Sequence, residues 1–195
     1  MSNCGDIGTS NWQLDCDALP IVGMEDDVIL MNRDDYLDGT ITQTGNVVSA
    51  IVLGTGKQGI KGTMPDDFVQ EVFNSEVGDI GISYFTHSLK VSLSDTPENR
   101  IIAENMAQGL IVAVAEMKAK GVDKEDAFVI LGAEQGLKGT IEKDSAANGG
   151  MIVVTLASKD AREARAPLTF FITDYATTKA AFNALTVAAV TTTAA

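Results

Sequence analysis

Between Ile82 and Ser94 the chain alternates in character: Phe85, His87, Leu89, Val91 and Leu93 fall on one side of an extended backbone, and Tyr84, Thr86, Ser88, Lys90 and Ser92 on the other. Successive side chains of a strand point to opposite faces, so a period of two over this length predicts a long strand with one face buried and one open. Such a strand needs partners on both edges and a layer against its apolar face. The rest of the chain has to supply them.

Several segments qualify. Val28-Ile29-Leu30-Met31 is apolar, too brief for three helical turns, and bounded by Glu25-Asp26-Asp27 and Asn32-Arg33-Asp34-Asp35, which suits a buried strand flanked by solvated turn residues. Val47 to Leu53 is β-branched and stops at Gly54. Leu110 to Met117 and Ala127 to Leu131 are strand-like, joined by the charged connection Lys118 to Asp126; the Ala and Glu content of the first leaves a helical continuation open. Gly136 to Lys143 is expected to pair with Met151 to Ala157 across Asn148-Gly149-Gly150, a turn sequence suited to hairpins. Pro167 to Ile172 is the last expected strand.

Two helices interrupt this pattern. Asp95 or Thr96 can cap a helix that has Pro97 in its first turn, an inward stripe at Ile101, Ile102, Asn105 and Met106, and an end at Gly109. Thr173 or Asp174 can cap a second, Ala-rich helix from Tyr175 toward Val190. Many strands with two helices predict a mainly β (α+β) fold, a β-sandwich or barrel with peripheral helices. At 195 residues the whole chain, 1–195, fits a single domain able to bury a core without metal or disulfide staples. Residues 1–19 are polar and lack apolar periodicity, which predicts an extended arm that packs on something else.

A net charge of −13 opposes binding to phosphate backbones, because nucleic-acid binders neutralise phosphates with clustered Lys and Arg. No stretch reaches the roughly 18 apolar residues that would span a bilayer, and the first residues lack a basic start and apolar core, so a cytoplasmic protein is expected. In that compartment Cys4 and Cys16 are expected to remain thiols.

Candidate chemistry is sparse. Gly54-Thr55-Gly56-Lys57-Gln58-Gly59 matches G-x-G-x-x-G after a strand, but a dinucleotide loop must open a helix, and here Gly62 and Pro65 follow. Lys57 is also misplaced for a P-loop, so a flexible hairpin or assembly loop is the preferred reading. His87 is the one histidine, set on an apolar strand face, where a packed and hydrogen-bonded side chain is expected before a catalytic one. The acidic groups at 25–27 and 34–35 lack the spacing of a Ca²⁺ loop. Phe68, Val72 and Phe73 could form a short amphipathic segment. No catalytic residue, cofactor or metal is expected.

Two motifs point further. Leu19-Pro20-Ile21-Val22-Gly23-Met24-Glu25-Asp26-Asp27-Val28-Ile29-Leu30-Met31-Asn32-Arg33-Asp34-Asp35 and Phe170-Phe171-Ile172-Thr173-Asp174-Tyr175-Ala176-Thr177-Thr178-Lys179-Ala180-Ala181 resemble a family of virion structural proteins from phages of the Bacteroidetes, and through them tail tube proteins. Gly132 to Leu137 and Met151 to Ser158 are similar to the family's middle and late segments.

The resemblance implies a virion protein, made in the host cytoplasm, that forms homo-oligomeric rings stacked into a tail tube. A head-to-tail connector or tail-hub ring is the alternative, and a ligand- or carbohydrate-binding β-sandwich a more distant one. Its expected partners are itself, other tail or connector proteins, and genome DNA that passes without specific binding; no membrane is involved. It also implies a sandwich or barrel of tail-tube type with a linking arm (1–19), a projecting loop (Gly54 to Pro65) and a flanking helix. Candidate subunit contacts are then Trp12 and Leu14 in the arm, Gly54, Gly56, Ile60, Met64 and Pro65 in the loop, and Phe68 beyond it. Six copies, usual for tail tubes, would surround the channel with about 78 excess negative charges and so give it an acidic lumen.

Overall fold

Two apolar runs, Val28 to Met31 and Ile111 to Ala115, are buried on both faces, and such runs belong in the middle of a sheet covered on both sides. The computed structural model describes residues 23–63, 70–77, 83–144, 149–158 and 163–188. In chain order its elements are β1 (Met24–Asn32), α1 (Arg33–Leu37), β2 (Thr40–Thr44), β3 (Val47–Val52), β4 (Ile60–Thr63), β5 (Gln70–Val77), β6 (Ser83–Leu93), α2 (Pro97–Gln108), β7 (Ile111–Met117), β8 (Phe128–Leu131), β9 (Lys138–Lys143), β10 (Ile152–Ala157), β11 (Leu168–Phe170) and α3 (Tyr175–Ala184). The fold is mainly β, an α+β sandwich of a seven-stranded sheet, β2-β3-β11-β8-β7-β1-β4, and a four-stranded sheet, β5-β6-β10-β9.

Three layers result. One core lies between the sheets, where Val28, Leu30, Ala113 and Ala115 meet Leu89, Val91, Val154 and Leu156, with Ala103 and Met106 of α2 beside them. A second core lies on the far side of the seven-stranded sheet, where Ile29, Met31, Val112 and Val114 pack with Phe128, Phe170 and Phe182 under α3. The Phe128 ring sits 5.1 Å from that of Phe182 and 5.8 Å from that of Tyr175. Alternate residues of β1 and β7 therefore serve opposite cores.

The long alternating strand is present as β6, and its apolar side faces the inter-sheet core as expected. The expected pairing of these two segments is present, with Val154 opposite Ile141 and Thr155 opposite Thr140, and β10 pairs β6 on its other edge; Asn148 of the expected turn lies outside the described residues. Thr96 caps α2, its hydroxyl accepting from the Asn99 N–H at 3.2 Å, and Gly109 ends it. Leu110 to Met117 resolves as a strand, paired with β1 and β8.

Five expectations need correction. The inward stripe of α2 holds at Met106 and in part at Ile102, but Ile101 and Asn105 are exposed and Ala103 is buried instead. The loop expected over Gly54 to Pro65 contains a strand, because Ile60 to Thr63 pairs antiparallel with β1 from Leu30 to Asp27. Glu25 to Asp27 are not turn residues but part of β1, at a register shift between Met24 and Val28; Asp34 and Asp35 form the first turn of α1. Phe73 and Val72 belong to β5, whose backbone pairs with β6. The terminal helix stops at Ala184, since Leu185 turns into the second core and its carbonyl accepts the Gly59 N–H at 2.7 Å. The arm over 1–19 lies outside the described residues.

Candidate assembly surface and the polar clusters behind it

Among the described residues, helix and strand cover one face of the four-stranded sheet. Its inner face meets the seven-stranded sheet and α2, and a Cβ at Gly139 in β9 would stand 2.7 Å from the Met106 carbonyl oxygen, so that glycine lets the helix backbone rest on the strand. The outer face presents Thr86, Ser88, Lys90 and Ser92 of β6, Val153, Thr155 and Ala157 of β10, and Lys138, Thr140 and Glu142 of β9. Among these only Val153 is buried. No described helix or strand packs there. The sheet also ends in two edges, β5 and β9, that pair with no further described strand.

Behind this surface the two motifs meet. Asp27 of β1 accepts from Lys61 of β4 at 2.9 Å and from Lys179 of α3 at 3.2 Å. Lys179 also pairs with Glu116 of β7, whose other oxygen takes the Tyr175 hydroxyl at 2.5 Å and Lys120 at 3.0 Å; Lys120 reaches Glu25 at 2.9 Å. Glu116 is 3% exposed. Burial alone would push its carboxyl up, but the hydrogen bonds from Lys179, Tyr175 and Lys120 outweigh that and hold it below the ordinary range. Lys179 behaves in mirror image: burial pulls it down, and Glu116 and Asp27 raise it. Held in this way, Lys120 and Lys179 stay protonated and Asp27 and Glu116 ionised, which is chemistry for fastening α3 to the seven-stranded sheet and poor chemistry for proton transfer.

A second cluster surrounds His87. Its Nδ1 accepts the Gly132 N–H at 3.2 Å, so the ring proton sits on Nε2 and is donated to the Arg165 carbonyl at 3.0 Å. Ser158 brackets the backbone, accepting from the His87 N–H at 2.8 Å. Burial lowers the His87 pKa, opposed by Glu163, the Arg165 carbonyl and Glu134. Glu163 is buried too, and its two carboxylate oxygens take the Glu134 and Gln135 N–H groups at 3.0 Å each. In return Glu134 accepts the Ala164 N–H at 2.8 Å. The turn that offers those amides depends on Gly132 at φ +71°, where a Cβ would also meet Leu137 at 2.7 Å. As the sequence predicts, His87 is packed and hydrogen-bonded, with both ring nitrogens committed to backbone.

Of the expected contact residues, Gly54, Gly56 and Ile60 are described. Gly54 and Gly56 lie in the turn between β3 and β4, where Lys57 pairs with Asp35 at 2.8 Å. Ile60 is 55% exposed and lines an apolar cleft of about 340 Å³ with Val28, Leu30, Val91, Leu93 and Met106. These three are not gathered with the bare sheet face. Trp12, Leu14, Met64, Pro65 and Phe68 lie outside the described residues. Sequence reasoning did not single out Glu116 or Glu163; an acid inside an apolar strand, as in Ala113-Val114-Ala115-Glu116-Met117, was the available signal for the first. Among the described residues no helix is long and apolar enough to cross a membrane, and no three metal-ligating side chains gather.

No protein-family model, curated protein or solved structure matches this chain.

Proposed function

We propose that the protein is a phage virion structural protein that assembles into rings, stacked into a tail tube, by continuing its four-stranded sheet from copy to copy. The observation that carries this reading is the pair of open edges. Each neighbouring pair in β5-β6-β10-β9 is antiparallel, so β5 and β9 run in opposite directions. Rotation about a ring axis then sets β9 of one copy antiparallel to β5 of the next, and closure leaves this sheet no exposed edge to aggregate.

The layering supports a direction for the curve. The covered face carries the whole seven-stranded sheet and α3, which need the larger radius, so the bare face turns toward the channel. Six copies contribute twenty-four strands; at about 4.8 Å per strand the wall is at least about 115 Å round and about 37 Å across, wide enough for a double helix. In this reading the wall includes the hydroxyls of Thr86, Ser88, Ser92, Thr140 and Thr155 together with Lys90, Lys138 and Glu142. The resemblance of the two motifs to virion proteins supports the same assignment.

Negative-stain electron microscopy of the purified, concentrated protein, with light scattering on the same sample, tests it. Tubes or stacked rings with an open channel are expected. Single rings would shift the assignment to a head-to-tail connector or hub, and a persistent monomer would overturn it.

A further inference from the structure

Among the described residues, most of the chain's cations have a partner. Of its 14 Lys and Arg residues, Lys159 and Arg162 lie outside the described residues. Ten of the remaining twelve have a partner within the protein. The two without one, among the described residues, are Lys90 and Lys138. Both are exposed and both stand on the outer face of the four-stranded sheet.

Their placement is close. Ser88 is opposite Ala157, and Ala157 is opposite Lys138, while Lys90 lies one same-face step along β6 from Ser88. Two strand spacings and one two-residue step separate their backbones by about 12 Å. Thr155 and Thr140 complete the row that starts at Lys90, and neither hydroxyl is bonded within the described protein. Glu142, one row further on, is an opposing charge on this face, and the register of β5 sets Glu76 on the same face opposite Tyr84.

We infer that this face contacts the phosphate backbone of duplex DNA through Lys90 and Lys138, assisted by the hydroxyls of Ser88, Thr140 and Thr155. The inference rests on the ring reading, because only a closed ring sets copies of the pair around one duplex. In a chain of net charge −13, an unmatched pair of ammonium groups on a face of short hydroxylated side chains is complementary to a regularly spaced anion. Lysine and hydroxyl contacts to phosphate carry no sequence information and allow sliding. The channel wall then guides DNA by weak, salt-sensitive contacts and does not act by repulsion alone.

The test is co-sedimentation of a short duplex with assembled particles, after microscopy has shown that particles are present. Wild-type particles should retain DNA at about 50 mM salt and release it by about 200 mM. The Lys90→Gln/Lys138→Gln double variant should retain at least about tenfold less at the lower salt, with a salt slope shallower by about 0.9 for each phosphate that is no longer neutralised. Lys90→Arg/Lys138→Arg should restore retention, and Lys57→Gln, which removes a cation already paired with Asp35, should leave it unchanged. Particles that retain no DNA, or retain it equally in the double Gln variant, overturn this inference and leave the ring reading standing. Absence of particles overturns the ring reading and this inference with it.

Discussion

Lys179 of α3 donates to the carboxylate of Asp27 on β1 at 3.2 Å, joining residues 152 positions apart. The contact brings the two terminal motifs together through Glu116, which Lys179 also reaches from the same side. The motif residues Glu25, Asp27, Tyr175 and Lys179 therefore fasten α3 across the seven-stranded sheet.

Breaking this fastening from one side should be costly. Lys179→Met leaves Glu116 buried with one cation fewer, and a loss of about 2–4 kcal/mol is expected in urea unfolding. Glu116→Gln combined with Lys179→Met should cost less than the sum of the single changes, giving a coupling of about 0.5–3 kcal/mol in a double-mutant cycle. Because Glu116 is shielded from solvent, added salt should change that coupling little.

Acid should act in two stages. His87 is neutral in the fold and its pKa is depressed, so the unfolded chain binds the extra proton first. Stability should fall as pH drops below about 6.5, by at most about 1.4 kcal/mol per pH unit. For Glu116 and Asp27, whose folded pKa values are also lowered, the loss begins only as pH falls through the ordinary carboxylate range near 4. His87→Gln should abolish the first stage and keep the second in a pH series of denaturation midpoints.

At Gly139 the obstacle to a side chain is backbone. Gly139→Ala would set its Cβ against the Met106 carbonyl, and a cost of about 1–3 kcal/mol is expected as α2 is pushed off β9. Gly54→Ala is the contrast, since its Cβ would meet only the Lys57 side chain at 3.6 Å. It should stay within about 0.5 kcal/mol in the same unfolding assay.

The start of α2 gives a smaller effect. Thr96→Ala removes the acceptor for the Asn99 N–H and should cost about 1 kcal/mol, read as a lower thermal midpoint.

What could be foreseen was local. Alternation marked β6, a capping residue followed by proline marked α2, and the Asn-Gly-Gly sequence marked the pairing of β9 with β10, because each signal lies within a few residues of the element it specifies. Thr40-Ile41-Thr42-Gln43-Thr44 carries no apolar run and is a strand only because β3 pairs with it. Ile60-Lys61-Gly62-Thr63 looks like loop sequence and is a strand only because β1 offers it an edge. The same gap affects the site. Lys90 was visible as a polar-face residue of β6, but its lack of a partner emerged only after the other cations had found theirs.

The sequence by itself determined the mainly β character, the burial of His87 and the buried strand at Val28 to Met31, since periodicity and side-chain chemistry act over short spans of chain. Only the tertiary structure decided that Glu116 would be ionised inside the protein, that the terminal motifs would meet, and that β5 and β9 would end one sheet without a further partner among the described strands. Those outcomes depend on which distant segments become neighbours, because desolvation, charge pairing and edge pairing are set by contacts in space and not by order along the chain.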